Sequence, residues 1–490
     1  MTDDWPPDET GGPSTNGEPV APPAREAARA PILTALMVGL AGGAILVPLN
    51  STMLAVALPQ IMAEFDLGAN TVASLVTLYL GAVAIALPVS GSLGDRFGHR
   101  RVFVAGVIGF GAASLVAAVA TSFGLLEIAR VLQAACGALV STTSAALVRE
   151  TTPPARSGEA FGLFDLLVST SAAVGPFVGG LLVGAFGWRS MFVVAVPVAS
   201  LAAIVVGVLL RPTARSTGTA PVTAPHAGPR VRIDVAGLAV LALIIVGLLV
   251  VLRNGLSGVG PVAALGTAVL AVVFVGIELR VERPAVDVRL LRRPSFASAL
   301  VGVFGATVVL HGCFLLVPLL VERLLGGSAR TSGLVLLGIA GVSALVAPFG
   351  GRASDRQGRR RIVVAGSAIC AVALGALALP AGIGSAATVG VLLGVVGLGL
   401  GLSGSPRQAA AFDGIEHSRI GMAAGTYFTA RYLGGVLGAS LAGAVLGGTV
   451  TTGGVSLGFA ILAVAAAIVA VASIALPAAR SRVPRAEAAG

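Results

Sequence analysis

The chain has 490 residues, of which 56% are hydrophobic and 11% charged, with a mean hydropathy of +0.96 and a net charge of +10. A water-soluble protein of this size carries about a quarter of its residues as charges, so the composition excludes an ordinary soluble enzyme or regulator and makes a lipid bilayer the solvent. The positive charge would suit nucleic acid, but the basic residues sit where membrane topology wants them and call for no nucleic-acid partner.

Residues 1–31, rich in Pro, Gly, Asp and Glu, lack the basic region and cleavage site of a secretory signal and are expected to form a disordered cytoplasmic tail. Charge-poor stretches long enough to cross a hydrocarbon layer of about 30 Å then recur along the chain. Spans are expected near 32–57, 71–91, 102–121, 124–148, 158–184, 190–210, 234–252, 261–281, 296–320, 332–349, 362–381, 386–404, 420–446 and 455–477. Residues 211–233, rich in Pro, Thr, Arg and Gly, read as a cytoplasmic linker, and 478–490 as a second cytoplasmic tail.

All 32 basic residues are arginine. With the N-terminus inside, 26 fall in cytoplasmic segments and four outside, Arg189, Arg253, Arg323 and Arg330, while Arg130 and Arg431 lie within spans. This asymmetry sets the orientation and an even number of crossings. Cys136, Cys313 and Cys370 are scattered through apolar spans, and the four histidines are equally dispersed. No disulfide framework, metal-ligand spacing or nucleophile-base arrangement follows, so no cofactor, metal or enzymatic activity is expected.

One internal repeat stands out. Residues 91–106, GSLGDRFGHRRVFVAG, align at an offset of 260 with 351–366, GRASDRQGRRRIVVAG, and nine of the sixteen positions are identical. Both copies follow an apolar span on the cytoplasmic side, so spans 1–6 and 9–14 read as two halves with spans 7 and 8 between them. Two halves about a central pathway is the architecture of a transporter.

At this point the residues match a known family. The loop pattern G-x-x-x-D-R-x-G-R-R resembles the helix 2–3 signature of the major facilitator superfamily. Arg130-Val-Leu-Gln133 in span 4 is similar to its R-x-x-Q-G motif, with Ala134 in place of glycine, and Gly175-Pro176-Phe-Val-Gly179-Gly180 in span 5 resembles the exporters' G-P-x-x-G-G. Trp188-Arg189, Ser332-Gly-Leu, and Gly425 with Arg431 and Gly434-Gly435 are similar to the fourteen-span drug:proton antiporter branch. The resemblance covers about residues 32–477. It implies an all-α membrane protein of fourteen transmembrane helices, with six-helix halves at 32–210 and 296–477 and two inserted helices at 234–281. It also implies a monomer in a bacterial plasma membrane, both termini cytoplasmic, exporting small amphipathic molecules by alternating access in exchange for protons.

The glycines at 91, 98, 351 and 358 are expected to let the chain turn between antiparallel helices. Asp95 and Asp355, set among Arg96, Arg101 and Arg356, serve either as topological charges or, by resemblance, as latches to the cytoplasmic starts of helices 13 and 5. Gly175, Pro176, Gly179 and Gly180 are expected to kink helix 5 and pack it closely, forming a gate between the halves.

Ionisable residues in spans are functional candidates by default. These are Glu127, Arg130, Asp165, His311 and Arg431. Glu127 and Arg130 share a helix face, so the two form either a neutral pair or a substrate and proton site. In span 1 the resemblance expects L-D-x-T with a proton-binding aspartate, whereas the chain reads Leu49-Asn50-Ser51-Thr52; asparagine cannot titrate. Phe428 also stands where the family often has asparagine. Glu127 therefore ranks first as proton carrier, then His311, which the repeat places opposite Ser51, then Asp165. Asn50, Glu127, Arg130, Gln133, His311 and Arg431 are the expected cavity residues. A proton-independent facilitator, an importer of the same fold, and a membrane-embedded ligand sensor remain alternatives.

Overall fold

The structure, a computed structural model, describes residues 24–152, 157–210, 235–254, 258–281, 288–415, 420–447 and 449–476. The expected linker and the C-terminal tail lie outside the described residues, as does most of the N-terminal tail. No strand occurs among the described residues. In lipid a backbone must satisfy its own hydrogen bonds, and a helix does so within each segment.

The helices of the first half are α1 (Ala24–Phe65), α2 (Ser74–Phe97), α3 (His99–Ala118), α4 (Phe123–Thr151), α5 (Ser157–Phe186) and α6 (Ser190–Leu209). The inserted pair is α7 (Val235–Asn254) and α8 (Gly260–Glu278). The second half holds α9 (Pro294–Leu319), α10 (Ala329–Gln357), α11 (Arg359–Leu377), α12 (Ala386–Phe412), α13 (Ile420–Leu446) and α14 (Thr452–Ala472). Among the described residues thirteen of these are long and apolar enough to cross a membrane; in α7 the apolar stretch is the shorter Ala239–Leu248.

Several helices outrun their expected limits. Residues 24–31, expected in the tail, form the start of α1, and α1 also continues past Pro59 to Phe65. The loop motifs shift in meaning for the same reason. α2 and α10 run to Phe97 and Gln357, so Gly91, Asp95, Gly351 and Asp355 are helical, and each turn reduces to one residue, Gly98 at φ 89° and Gly358 at φ 91°. Of the four glycines of the repeated motif, only these two take the positive φ that an L side chain resists.

Within each half, glycine lets neighbouring backbones meet. A Cβ on Gly179 would sit 3.0 Å from the Met53 Cα of α1, and Gly175 presses on Leu49 and Thr52 of the same helix. In the second half Gly434 and Gly438 of α13 press likewise on Phe304, Thr307 and Val308 of α9. Gly175 and Gly179 thus pack inside their own half, where a contact between halves was expected. By their contacts, the counterparts of these glycines are Gly434 and Gly438, one residue out of step with the loop repeat.

The contact between halves falls to the next position, Gly180. A Cβ there would come within 2.7 Å of the Ala329 carbonyl and 3.1 Å of the Gly333 Cα, so α5 and α10 cross backbone to backbone. On the other side of the bundle α13 meets α2 and the residues just before it, with Gly435 against Leu80 of α2 and Gly443 against Ala73 and Asn70 ahead of it. Asn70 N donates to Gly447 O at 3.3 Å, and Arg323 Nη2 donates to Pro59 O at 3.0 Å. Among the described residues these contacts run from the middle of the bundle to the end remote from the repeated loops. The inserted pair packs outside the α2–α13 seam, where Leu241, Ile245 and Phe274 bury Ala84 and meet Tyr432 and Leu433.

Replacing Gly333 or Gly180 with leucine is expected to overpack the α5–α10 crossing and lower stability by about 1–3 kcal/mol. Gly375→Leu, at a helical position with open space around it, is expected to melt with the parent chain. Thermal unfolding in detergent checks both.

Candidate functional site

Charge inside a membrane protein is expensive, so the fully buried charged side chains mark where function is most costly to build. Among the described residues these are Arg130, Arg407 and Glu278. Glu278 belongs to the inserted pair, at the end of α8. Arg130 lies on the face of α4 that packs into its own half and is wholly enclosed. Its Nη1 donates to Asn50 Oδ1 of α1 at 2.6 Å and to Gln133 Oε1, one turn along α4, at 2.9 Å. Gln133 Nε2 donates in turn to the Ser114 hydroxyl of α3 at 2.7 Å. The guanidinium carbon stands 4.0 Å from the ring centre of Tyr79 of α2, whose hydroxyl reaches Val47 O at 3.3 Å. Four helices therefore converge on one cation.

Every described partner of Arg130 is neutral. Nε and Nη2 have no acceptor, and neither has Asn50 Nδ2. Glu127 does not neutralise it. This residue sits in the first turns of α4, where its carboxylate accepts from the Ser74 hydroxyl at the start of α2. The neutral pair, one of the two readings of their three-residue spacing, is thus replaced by a contact across helices. The side chain of Asp165 lies outside the described residues.

The other expected residues scatter. His311 of α9 has Nδ1 3.1 Å from Thr307 O and packs its ring edge-on to Phe314, with Gly435 and Leu80 close by at the seam. Arg431 is exposed, and its backbone carbonyl accepts from Thr307 at 2.8 Å. Of the expected cavity set, Asn50, Arg130 and Gln133 meet in one network.

The loop acids have local roles in this conformation. Asp95 is 58% exposed and lies 3.3 Å from His99 Nε2, and His99 Nδ1 is 2.6 Å from Glu150 at the end of α4. In the second half Arg359, the repeat's counterpart of His99, pairs with Asp413 after α12. Asp355 is exposed. The starts of α13 and α5, where latches would engage, have no described side chains.

Sequence reasoning missed Arg407. It counted as a loop arginine, yet α12 runs on to Phe412 and buries it, with Nη2 donating to Ser403 at 2.9 Å and Ser367 at 3.4 Å. The expected span ended at 404, whereas the helix continues through Pro406; a proline inside a membrane helix does not stop it when neighbours re-satisfy the backbone. Tyr79 and Ser114 were missed too, since nothing local separates a cation's platform from ordinary core.

At the remote end, Trp188-Arg189 gains a structural task. Glu64 of α1 accepts from Trp188 Nε1 at 2.6 Å and from both Arg189 Nη atoms at 2.8 and 2.6 Å, and Arg189 reaches Ala120 O at 3.0 Å. Three helix ends of the first half are tied together. Ser332 likewise donates to Glu322 at 2.9 Å in the second half.

Comparison with known proteins agrees with this architecture. A family model described as Major Facilitator Superfamily matches residues 40–439. The tetracenomycin C resistance and export protein of Streptomyces glaucescens is 32% identical, covering 83% of this chain and 74% of that protein. The multidrug resistance protein Stp of Mycobacterium tuberculosis is 30% identical, covering 84% and 75%. Among solved structures, a peptide transporter POT superposes with a TM-score of 0.67 at 16% identity, covering 90% of this chain and 93% of that one. A bacterial homolog of the human lysosomal transporter Spinster gives 0.65 at 15%, covering 91% and 98%. With two six-helix halves joined along glycine seams and a family match over most of its length, the chain belongs to the major facilitator superfamily of multi-pass membrane transporters.

Proposed function

We propose that the chain is a secondary active transporter that exports small amphipathic molecules from a bacterial cell by alternating access, in exchange for protons. In this reading it crosses the plasma membrane fourteen times, works as a monomer, and keeps both termini in the cytoplasm. The observation that carries it is the pair of seams, α5 against α10 and α2 against α13, where bare backbone lets one half rock on the other. Relatives named as a tetracenomycin C resistance and export protein and as a multidrug resistance protein support the direction and the kind of cargo.

The latch reading of Asp95 and Asp355 fits the same cycle. The described contacts between halves lie away from the repeated loops, so the loop end is where a second conformation would close. Asp95→Asn and Asp355→Asn are each expected to reduce transport several-fold while membrane insertion is unchanged. Full transport in both variants, measured in inverted vesicles, leaves these residues as topological charges.

For the proton, the geometry favours a different order from the sequence. Glu127 is held by Ser74 near one end of α4, whereas His311 lies at the seam where α2 and α13 meet α9. A group that must sense which way the halves have rocked belongs at the seam, so His311 is the better carrier and Glu127 the second. Proton-independent transport is the rival reading, favoured by Asn50, a side chain that cannot titrate and that accepts from Arg130. Reconstituted vesicles with and without an imposed pH gradient separate the two. His311→Gln is expected to remove most of the gradient-driven component, and Glu127→Gln less. A wild type indifferent to the gradient establishes the rival.

A further inference from the structure

We infer that the cargo is an organic anion, and that Arg130 receives its carboxylate or acidic phenol. This rests on the transporter reading above and names the chemical class that the site takes.

The argument starts from unsatisfied nitrogens. Arg130 carries a full positive charge with no solvent-exposed surface, and two of its three nitrogens have no acceptor. A guanidinium offers Nε and one Nη as a fork matched to the two oxygens of a carboxylate. Nη1 is engaged by Asn50 and Gln133, so the Nε–Nη2 edge is the open fork. Asn50 Nδ2, also without an acceptor, adds N–H donors in the same network. An oxyanion satisfies these donors and cancels the charge together. Water could accept from them, but it would leave the charge uncompensated in a medium where that is costly.

The wider field has the same sign. Arg407, the other buried arginine of the two halves, has hydroxyls for partners and an unpartnered Nε. The buried interior of the halves, among the described residues, thus holds two cations and no acid. A cationic cargo would add to this charge and an anionic one would discharge it. Asn50 becomes the specificity residue: an aspartate in its place would give Arg130 an internal counter-ion, whereas asparagine leaves the fork for a ligand. Because the fork has no solvent access in this conformation, an anion must bind a conformation that opens it, and so shifts the population toward that state.

The test uses the purified full chain in detergent with three probes of one shape: benzoate, benzyl alcohol and benzylammonium, at matched ionic strength. Benzoate is expected to raise the melting temperature saturably and the other two not to. Asn50→Asp is expected to raise the melting temperature without ligand and to weaken the benzoate response at least tenfold. Arg130→Gln should abolish the response; should that variant fail to fold, Asn50→Asp still decides. Equal responses to benzoate and benzyl alcohol, no response to benzoate, or an unchanged response in Asn50→Asp would overturn the inference and make Arg130 a structural cation. These readouts need no transport, so an Arg130-dependent benzoate response in a chain that moves nothing across vesicles condemns the transporter reading alone. Transport of neutral or cationic cargo without a benzoate response condemns the anion inference alone.

Discussion

Everything in this molecule depends on helices meeting without a side chain between them. In lipid, apolar surface gains little by leaving one hydrocarbon environment for another, so helix association depends on close van der Waals contact and on the few polar bonds that close contact permits. Glycine supplies that contact at Gly180 and Gly333 between the halves, and at Gly179 and Gly438 within them. The two kinds of contact differ in consequence. A glycine facing its own half packs a bundle, whereas one facing the other half builds a seam between the halves.

The polar network around Arg130 is the second constraint, and its energetics run the opposite way. Burying a guanidinium without a carboxylate costs several kcal/mol. Stacking on Tyr79 returns about 2 kcal/mol when the site is dry, and the bonds to Asn50 and Gln133 are between a charge and neutral oxygens. The network therefore ties α1, α2, α3 and α4 together while leaving the cation short of partners. Replacing buried charge with well-packed hydrophobes is often neutral or stabilising, so the burial of Arg130 is not itself evidence of stability.

The two loop repeats show how one device serves two settings. In each half a basic side chain at the first residue after the glycine turn braces the end of the next helix: His99 to Glu150, and Arg359 to Asp413. The brace holds each half together internally at the end where the described contacts between halves are missing.

The sequence by itself determined the membrane class, the two-half plan and the identity of most of the polar residues. Hydropathy, charge placement and a 260-residue repeat are one-dimensional signals, and a bilayer of fixed thickness reads them directly. Asn50, Arg130 and Gln133 were legible as candidates because polar groups in an apolar span stand out. Their pairing was not. Spacing along one helix suggested Glu127 with Arg130, and only the packing of α2 on α4 gave Glu127 to Ser74 and Arg130 to Asn50 and Tyr79. Arg407 passed for a loop residue because the expected span ended at 404, whereas helix ends are set by what the neighbours satisfy and this one runs on to Phe412. Which face of α5 looks across the seam was likewise a tertiary decision. Gly179 and Gly180 are adjacent and chemically identical, but successive residues on a helix point about 100° apart, so one meets its own half and the other meets its partner.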